Sequence, residues 1–358
     1  MSELETRRGQ LASQLRDRKL DALIVSAPPN IRYLSGFTGS NGLLLLSAEG
    51  AVLFTDPRYR IQAAQETGCK VRVAKGLLFP ALMKAARRRH VYRIGFEHTR
   101  LTCDALECLR ENLYLGASLE PAPGLVEAQR SIKSAAEIAL IRRSVLTNSE
   151  AFQRAIRKLR PGMRESDLAA ELDYQMRLLG AEGPAFETVV ASGPRSAWPH
   201  ARPTAHPLAR NQLLLIDVGA SQEGYASDMT RMAFLGRPAQ KVRHLYQAVL
   251  EAQLAAIAAV RPGARAGSVD RAARRVLRAS KLDQAFVHST GHGLGLEIHE
   301  PPRLGKRERT PLAAGMVITI EPGAYLEGFG GVRIEDTVLV TSTGCEVLTP
   351  TSKELLVL

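Results

Sequence analysis

The spacing of apolar and polar positions divides this chain into two regimes. In roughly the first third, short apolar runs alternate with amphipathic stretches. Residues 21–26 (DALIVS) read as a strand behind a charged helix, and residues 42–47 and 51–55 flank Ala48-Glu49-Gly50 as a hairpin. Helices are predicted at 58–66, 80–89 and 104–113, with strands at 71–74 and 93–96. Strands and helices alternating at this spacing predict a small α/β domain. Residues 118–124 (SLEPAPG) hold two prolines and a glycine and read as a linker. Domains of residues 1–124 and 125–358 are therefore expected.

Beyond the linker the helices lengthen and the pattern repeats. A helix over 135–159 stops at Arg160-Pro161-Gly162, and a second over 165–179 has Ser166 as its expected cap. A strand at 186–191 and a hairpin at 213–234 follow. The order then recurs, with a helix over 242–260, a stop at Arg261-Pro262-Gly263, a helix over 268–282 begun by Ser268, and a hairpin at 317–340. The two stops are 101 residues apart, numbered from Arg160 to Arg261. The fold class expected is an α/β N-terminal domain followed by an α+β domain built from a duplicated helix-helix-hairpin unit.

Both hairpins carry carboxylates in apolar surroundings. In Leu213-Leu214-Leu215-Ile216-Asp217 and its return strand, a turn centred between Gln222 and Glu223 sets Asp217 opposite Asp228. Like charges facing each other across strands are destabilising. Two readings explain the pair: a solvated rim, or a divalent cation between the carboxylates. In the second hairpin Glu321 and Glu335 are symmetric about Gly328 and face each other in the same way. Folding the halves together gathers four carboxylates, whose charge two divalent ions balance with room for a hydroxide.

Composition narrows the classes. The chain has 358 residues, 45% apolar and 23% charged, enough for two cores. No apolar run approaches the roughly 20 residues that span a bilayer, so no membrane partner is expected. The N-terminus MSELETRRGQ has no apolar signal core, and the four cysteines form no C-x-x-C pair, so a reducing cytoplasm is the expected location. A net charge of +12 raises nucleic acid as a partner, but the arginines are spread over helices and only 5% of residues are aromatic. That argues for a solvated basic surface.

Histidines stand beside the carboxylate hairpins. His292 lies in Gly291-His292-Gly293, where glycines let backbone approach a crowded site, and His299 follows in Ile298-His299-Glu300. His200 sits in the proline-fixed loop Trp198-Pro199-His200. His206 and His288 are read as structural.

The segments PHARP (199–203), DVGASQEGYASDMTR (217–231), GHGLGLEIHEPP (291–302), TIEPGAY (319–325) and GVRIEDT (331–337) together resemble the pita-bread metallopeptidases, which include aminopeptidase P, prolidase and methionine aminopeptidase. The first ~124 residues, notably 30–39 (NIRYLSGFTG), resemble the creatinase-type N-terminal domain of the proline-specific members. The resemblance covers essentially the whole chain. It implies metal ligands Asp217, Asp228, His292, Glu321 and Glu335, with Asp228 and Glu335 bridging two ions. Manganese is the expected metal for oxygen-rich ligation with one imidazole, with cobalt and zinc behind it. It further implies that Glu321 receives the proton of the attacking water and that His200 and His299 contact the scissile carbonyl. Arg333, on the strand face of Glu335, is expected to orient that carboxylate. Ser289 stands where many relatives have glycine, a change that leaves the set intact.

The implied reaction is hydrolysis of the first peptide bond of peptides with proline second, by a hydroxide held between two metal ions in a homodimeric enzyme. Methionine aminopeptidase normally lacks the N-terminal domain, and creatinase works without the metal cluster. Between the remaining two, residues 30–39 favour an Xaa-Pro aminopeptidase, with an Xaa-Pro dipeptidase (prolidase) as the alternative. A catalytically silent binding module for nucleic acid or protein is a third class, disfavoured by the complete ligand set. A gel shift set against peptidase activity separates it from the enzymes.

Overall fold

The computed structural model describes residues 2–358, and the chain divides into two compact units, the first ending at Arg130 and the second running Ser131–Leu358.

In the first unit, six strands form one sheet in the order Lys70–Val73, Gly50–Thr55, Gly42–Ser47, Ala22–Val25, Arg93–Phe96, Ser118–Pro121. The hairpin expected around Glu49 forms, pairing Leu43 with Phe54 and Leu46 with Ala51. Ala22–Val25 is buried at every position, as a central strand of a two-sided sheet requires. Helix Glu3–Asp17 starts with a capping box, in which Ser2 accepts from the Glu5 amide and Glu5 accepts from the Ser2 amide. The expected linker is in fact the edge strand Ser118–Pro121, parallel to Arg93–Phe96. Its proline misled the reading: Pro121 ends a strand at the sheet edge, where a missing N–H does no harm.

In the second unit, helix Ala135–Ile156 packs on Glu165–Leu178, and Gln240–Ala258 on Ala266–Ala279. The expected serine caps are not used. Arg164 occupies the first N-cap, its amide bonded to the Asp167 carboxylate, and the second helix begins two residues before Ser268. Both helix pairs bury apolar faces against the sheets, with Leu168, Leu172 and Met176 on one side and Val249, Val269 and Leu277 on the other.

The first hairpin pairs Leu213–Val218 with Met229–Phe234 and continues as Ala220–Gln222 with Tyr225–Ala226. Glu223 and Gly224 form its turn with φ of 49° and 78°. Both values are left-handed, the geometry of a type I′ hairpin. The register is therefore two residues away from the expected one, and Asp217 faces Thr230. A shift of two keeps every side chain on its face, so Asp228 stays on the face of Asp217 as a diagonal neighbour. The second hairpin has the expected register about Gly328: Ile320 faces Asp336, Gly323 faces Arg333, and Glu321 and Glu335 flank the paired segments.

The two halves are joined beneath these carboxylates. The Arg231 guanidinium on the first hairpin meets Asp336 on the second at 2.7 Å, both side chains buried. The Thr337 hydroxyl donates to the Asp228 carbonyl at 2.9 Å.

Candidate metal centre

A cavity of about 690 Å³ opens in the second unit, and its wall holds all eight residues singled out in the sequence: His200, Asp217, Asp228, His292, His299, Glu321, Arg333 and Glu335. One ligand atom each of Asp228, His292 and Glu335 lie within 4.8 Å of one another. His292 Nε2 stands 3.4 Å from Glu321 Oε1 and 3.6 Å from Asp228 Oδ2. Its Nδ1 is 3.0 Å from the Gly293 carbonyl, which only accepts, so Nδ1 carries the hydrogen and Nε2 presents a lone pair.

The charges are arranged as a cation site. Burial raises Asp228 well above the usual carboxylate range, and Glu335, Asp217 and Glu321 raise it further. Burial also raises Glu335, with Glu321 and Asp217 adding to the shift. Glu321 is pushed up to about 7, mainly by burial, with Arg333 opposing and Asp217 reinforcing. Burial holds His292 down at about 4, in the neutral form a ligand needs. Asp217 Oδ1 and Asp228 Oδ1 are buried without a hydrogen-bond partner. Unsatisfied buried acceptors are rare, and these face a cluster of their own sign. The donor set fits divalent cations.

Arg333 holds the cluster from behind. Its fork donates to Asp217 Oδ2, to Thr230 Oγ1 at 3.0 Å, to the Pro199 carbonyl at 3.0 Å and to the Tyr325 hydroxyl at 2.8 Å. Thr230 in turn donates to Glu335 Oε2 at 2.8 Å. Arg333 thus touches Asp217 directly and reaches Glu335 through Thr230. Burial would lower its pKa, but Tyr325, Asp217, Glu321 and Glu335 keep it raised and charged.

His288, read from the sequence as structural, lines the cavity and ends a directional chain of hydrogen bonds. Arg333 donates to Tyr325, so Tyr325 passes its own hydrogen to His288 Nε2 at 2.8 Å, and His288 Nδ1 lies 2.8 Å from the Ser289 carbonyl. Sequence reasoning also missed Thr230 and Tyr325. The available signal was alternation, since Thr230 lies two residues beyond Asp228 on one strand face. His299 sits with its ring centroid 4.4 Å from that of His292. Burial lowers its pKa, with His200 adding to the effect and Asp217 opposing it.

Two sequence families account for this architecture. Metallopeptidase family M24 matches residues 139–342, and the Creatinase/Prolidase N-terminal domain matches residues 7–132. The chain belongs to the M24 metallopeptidases, hydrolases of peptide bonds, and carries the creatinase-type domain in front of a pita-bread catalytic domain. Within the family it is similar to the Xaa-Pro dipeptidase of Pyrococcus furiosus, 36% identical over 99% of this chain and 100% of that protein. The solved Xaa-Pro dipeptidase from Bacillus anthracis superposes with a TM-score of 0.96 at 36% identity, covering 99% and 100% of the two chains. An X-Pro aminopeptidase from Thermotoga maritima superposes with a TM-score of 0.89 at 36% identity, covering 95% and 98%. No helix among the described residues is long and apolar enough to cross a membrane.

Proposed function

We propose that this protein is a metal-dependent Xaa-Pro dipeptidase, the alternative of the sequence reading and not its first choice. Full-length similarity to proteins bearing that name supports it. The observation that carries it is Arg303. Three arginines line the cavity: Arg333 is bonded to the carboxylate cluster, Arg202 pairs with Glu187 at 3.0 Å, and Arg303 has no ion pair among the described residues. A dipeptide places its own carboxylate one residue beyond the scissile bond, where the exposed Arg303 guanidinium, which interacts only at a distance with Glu308, can take it bidentately. A longer peptide has no charge there.

Asp217, Asp228, His292, Glu321 and Glu335 would hold two divalent ions, with manganese the metal we favour. Bound there, such ions supply Lewis acidity to the water and the scissile carbonyl. Glu321 takes a proton from the attacking water at a carboxylate oxygen and delivers it to the proline nitrogen. His200 and His299 donate to the carbonyl oxygen as negative charge develops, a contribution of about 3 kcal/mol for a well-placed donor. Arg333 fixes Asp217 and, through Thr230, Glu335. Phe186, Val189 and Ile298 supply an apolar wall for the proline ring. The protein is expected to work as a homodimer, which light scattering on the purified chain tests.

A substrate panel with manganese decides the specificity: Ala-Pro, Ala-Pro-Ala, a longer Ala-Pro peptide and Met-Ala-Ser. Cleavage of Ala-Pro alone, with KM raised by Arg303→Met, is the expected result. Faster cleavage of the longer peptides would establish the aminopeptidase reading, which the Thermotoga maritima likeness keeps as the second choice.

A further inference from the structure

Glu300, in the cavity wall, belongs to a buried ion pair that the reaction does not use. Lys133 Nζ lies 3.1 Å from Glu300 Oε2, and each side chain is only 2% exposed. Such a pair gains little stability over apolar residues of the same volume, because both charges must be stripped of water. Its use is better sought in what the carboxylate holds.

Glu300 Oε1 accepts from the Glu297 amide at 3.1 Å, closing a turn whose two middle residues are Ile298 and His299. The same carboxylate lies against Gly295, where a Cβ would come within 2.8 Å of Oε1 and push the carboxylate from its present place. The Gly295 amide donates to the Glu297 carbonyl at 3.0 Å, tying the start of the segment to the same turn. Lys133 is itself fixed, its amide donating to the Gly315 carbonyl at 2.9 Å. A rigid cation therefore sets the position of Glu300, and Glu300 sets the turn that carries His299 into the cavity. Strand Glu300–Arg303 continues from this turn, and a bulge between His292 and Gly293 interrupts its pairing with their strand. The ladder thus gives His299 little support of its own.

We infer that Lys133 and Glu300 form a positioning pair for His299, a reading that rests on the peptidase function proposed above. Lys133 has no contact with substrate in this account and acts through the imidazole.

The test uses the manganese-loaded full chain and Ala-Pro. Lys133→Met should lower kcat by about 10-fold, the usual scale for residues that orient reacting groups, with KM and bound metal little changed. Lys133→Arg should restore part of the loss. In a His299→Ala background, Lys133→Met should cost less than about twofold, because its route of action is already gone. Should Lys133→Met not fold, the charge-free pair Lys133→Met/Glu300→Leu replaces it and should keep the melting temperature while losing turnover. A full 10-fold loss in the His299→Ala background would overturn the inference. If the wild type cleaves no Xaa-Pro peptide, the functional reading fails separately. The positioning claim is then read from the His299 ring signals in NMR spectra of the metal-free protein. Those signals should shift or broaden in Lys133→Met, and unchanged signals would refute it.

Discussion

Two buried arginines in the catalytic unit face aspartates across the same seam, and the difference between them separates structure from function. Arg231 bonds Asp336 at 2.7 Å, and the other oxygen of Asp336 accepts from Gln253 at 2.8 Å and Lys353 at 2.6 Å. Arg231 also donates to the carbonyls of Thr230, Glu335, Thr351 and Ser352. Both carboxylate oxygens of Asp336 are used. Arg333 bonds one oxygen of Asp217 and leaves Oδ1 without a partner, beside the equally unpartnered Oδ1 of Asp228. A buried pair that is satisfied on all sides fastens two hairpins together. One that keeps acceptors free and crowds four carboxylates around them is built for something that is not protein.

The contrast can be broken experimentally, and the largest effect should come from Asp228. Asp228→Asn is expected to reduce Ala-Pro hydrolysis to background and to lower metal content with it, measured by atomic absorption after dialysis. Asp336→Ala, at the satisfied cluster, should instead destabilise the fold by about 3–5 kcal/mol in urea titrations, because it strands Arg231 and Lys353 in a buried site. His299→Ala should retain metal and lose about 100-fold in kcat; loss of metal as well would make it a ligand. Arg333→Met should weaken metal binding by about 10–100-fold in isothermal titration, as expected for a partner that orients ligands.

The smallest effect concerns His288, which burial holds at about 4 against an ordinary value of 6.5. The unfolded chain then binds the extra proton between those values, so stability is full above pH 6.5 and is lost as pH falls through the window. At pH 5.5 the loss should be about 1 kcal/mol, and His288→Gln should remove it from the difference between urea curves at pH 7.5 and 5.5. An unchanged difference would mean that His288 is protonated in the folded state.

Much of this was legible in residues. The second hairpin could be registered from Glu321, Gly328 and Glu335 alone, because its symmetric glycine turn leaves one plausible centre. The first was misplaced by two residues, because Glu223 takes a left-handed φ that the residue type does not advertise. The error was harmless to the site, since an even shift preserves faces. Ser118–Gly124 showed the opposite failure: local proline and glycine chemistry spoke for a linker, while pairing with Arg93–Phe96, decided by the whole sheet, made a strand of its first half. The links of Thr230, Tyr325 and His288 to the cluster were invisible in the sequence because they lie in the direction of hydrogen bonds, which depends on what Arg333 donates to. The preference for dipeptides over longer substrates, which we propose from the position of Arg303 in the cavity wall, had no counterpart in composition or spacing.

The claim beneath all of these is that the carboxylate cluster is a cation site, unstable by itself. Thermal melting of the metal-stripped protein tests it directly. Without metal, Asp228→Asn should melt above the wild type, because one of four mutually repelling groups is neutral. Added manganese chloride should then raise the wild type strongly, by mass action on the folded state, and the variant little. A variant that melts below the metal-free wild type, or that manganese stabilises equally, would contradict the account.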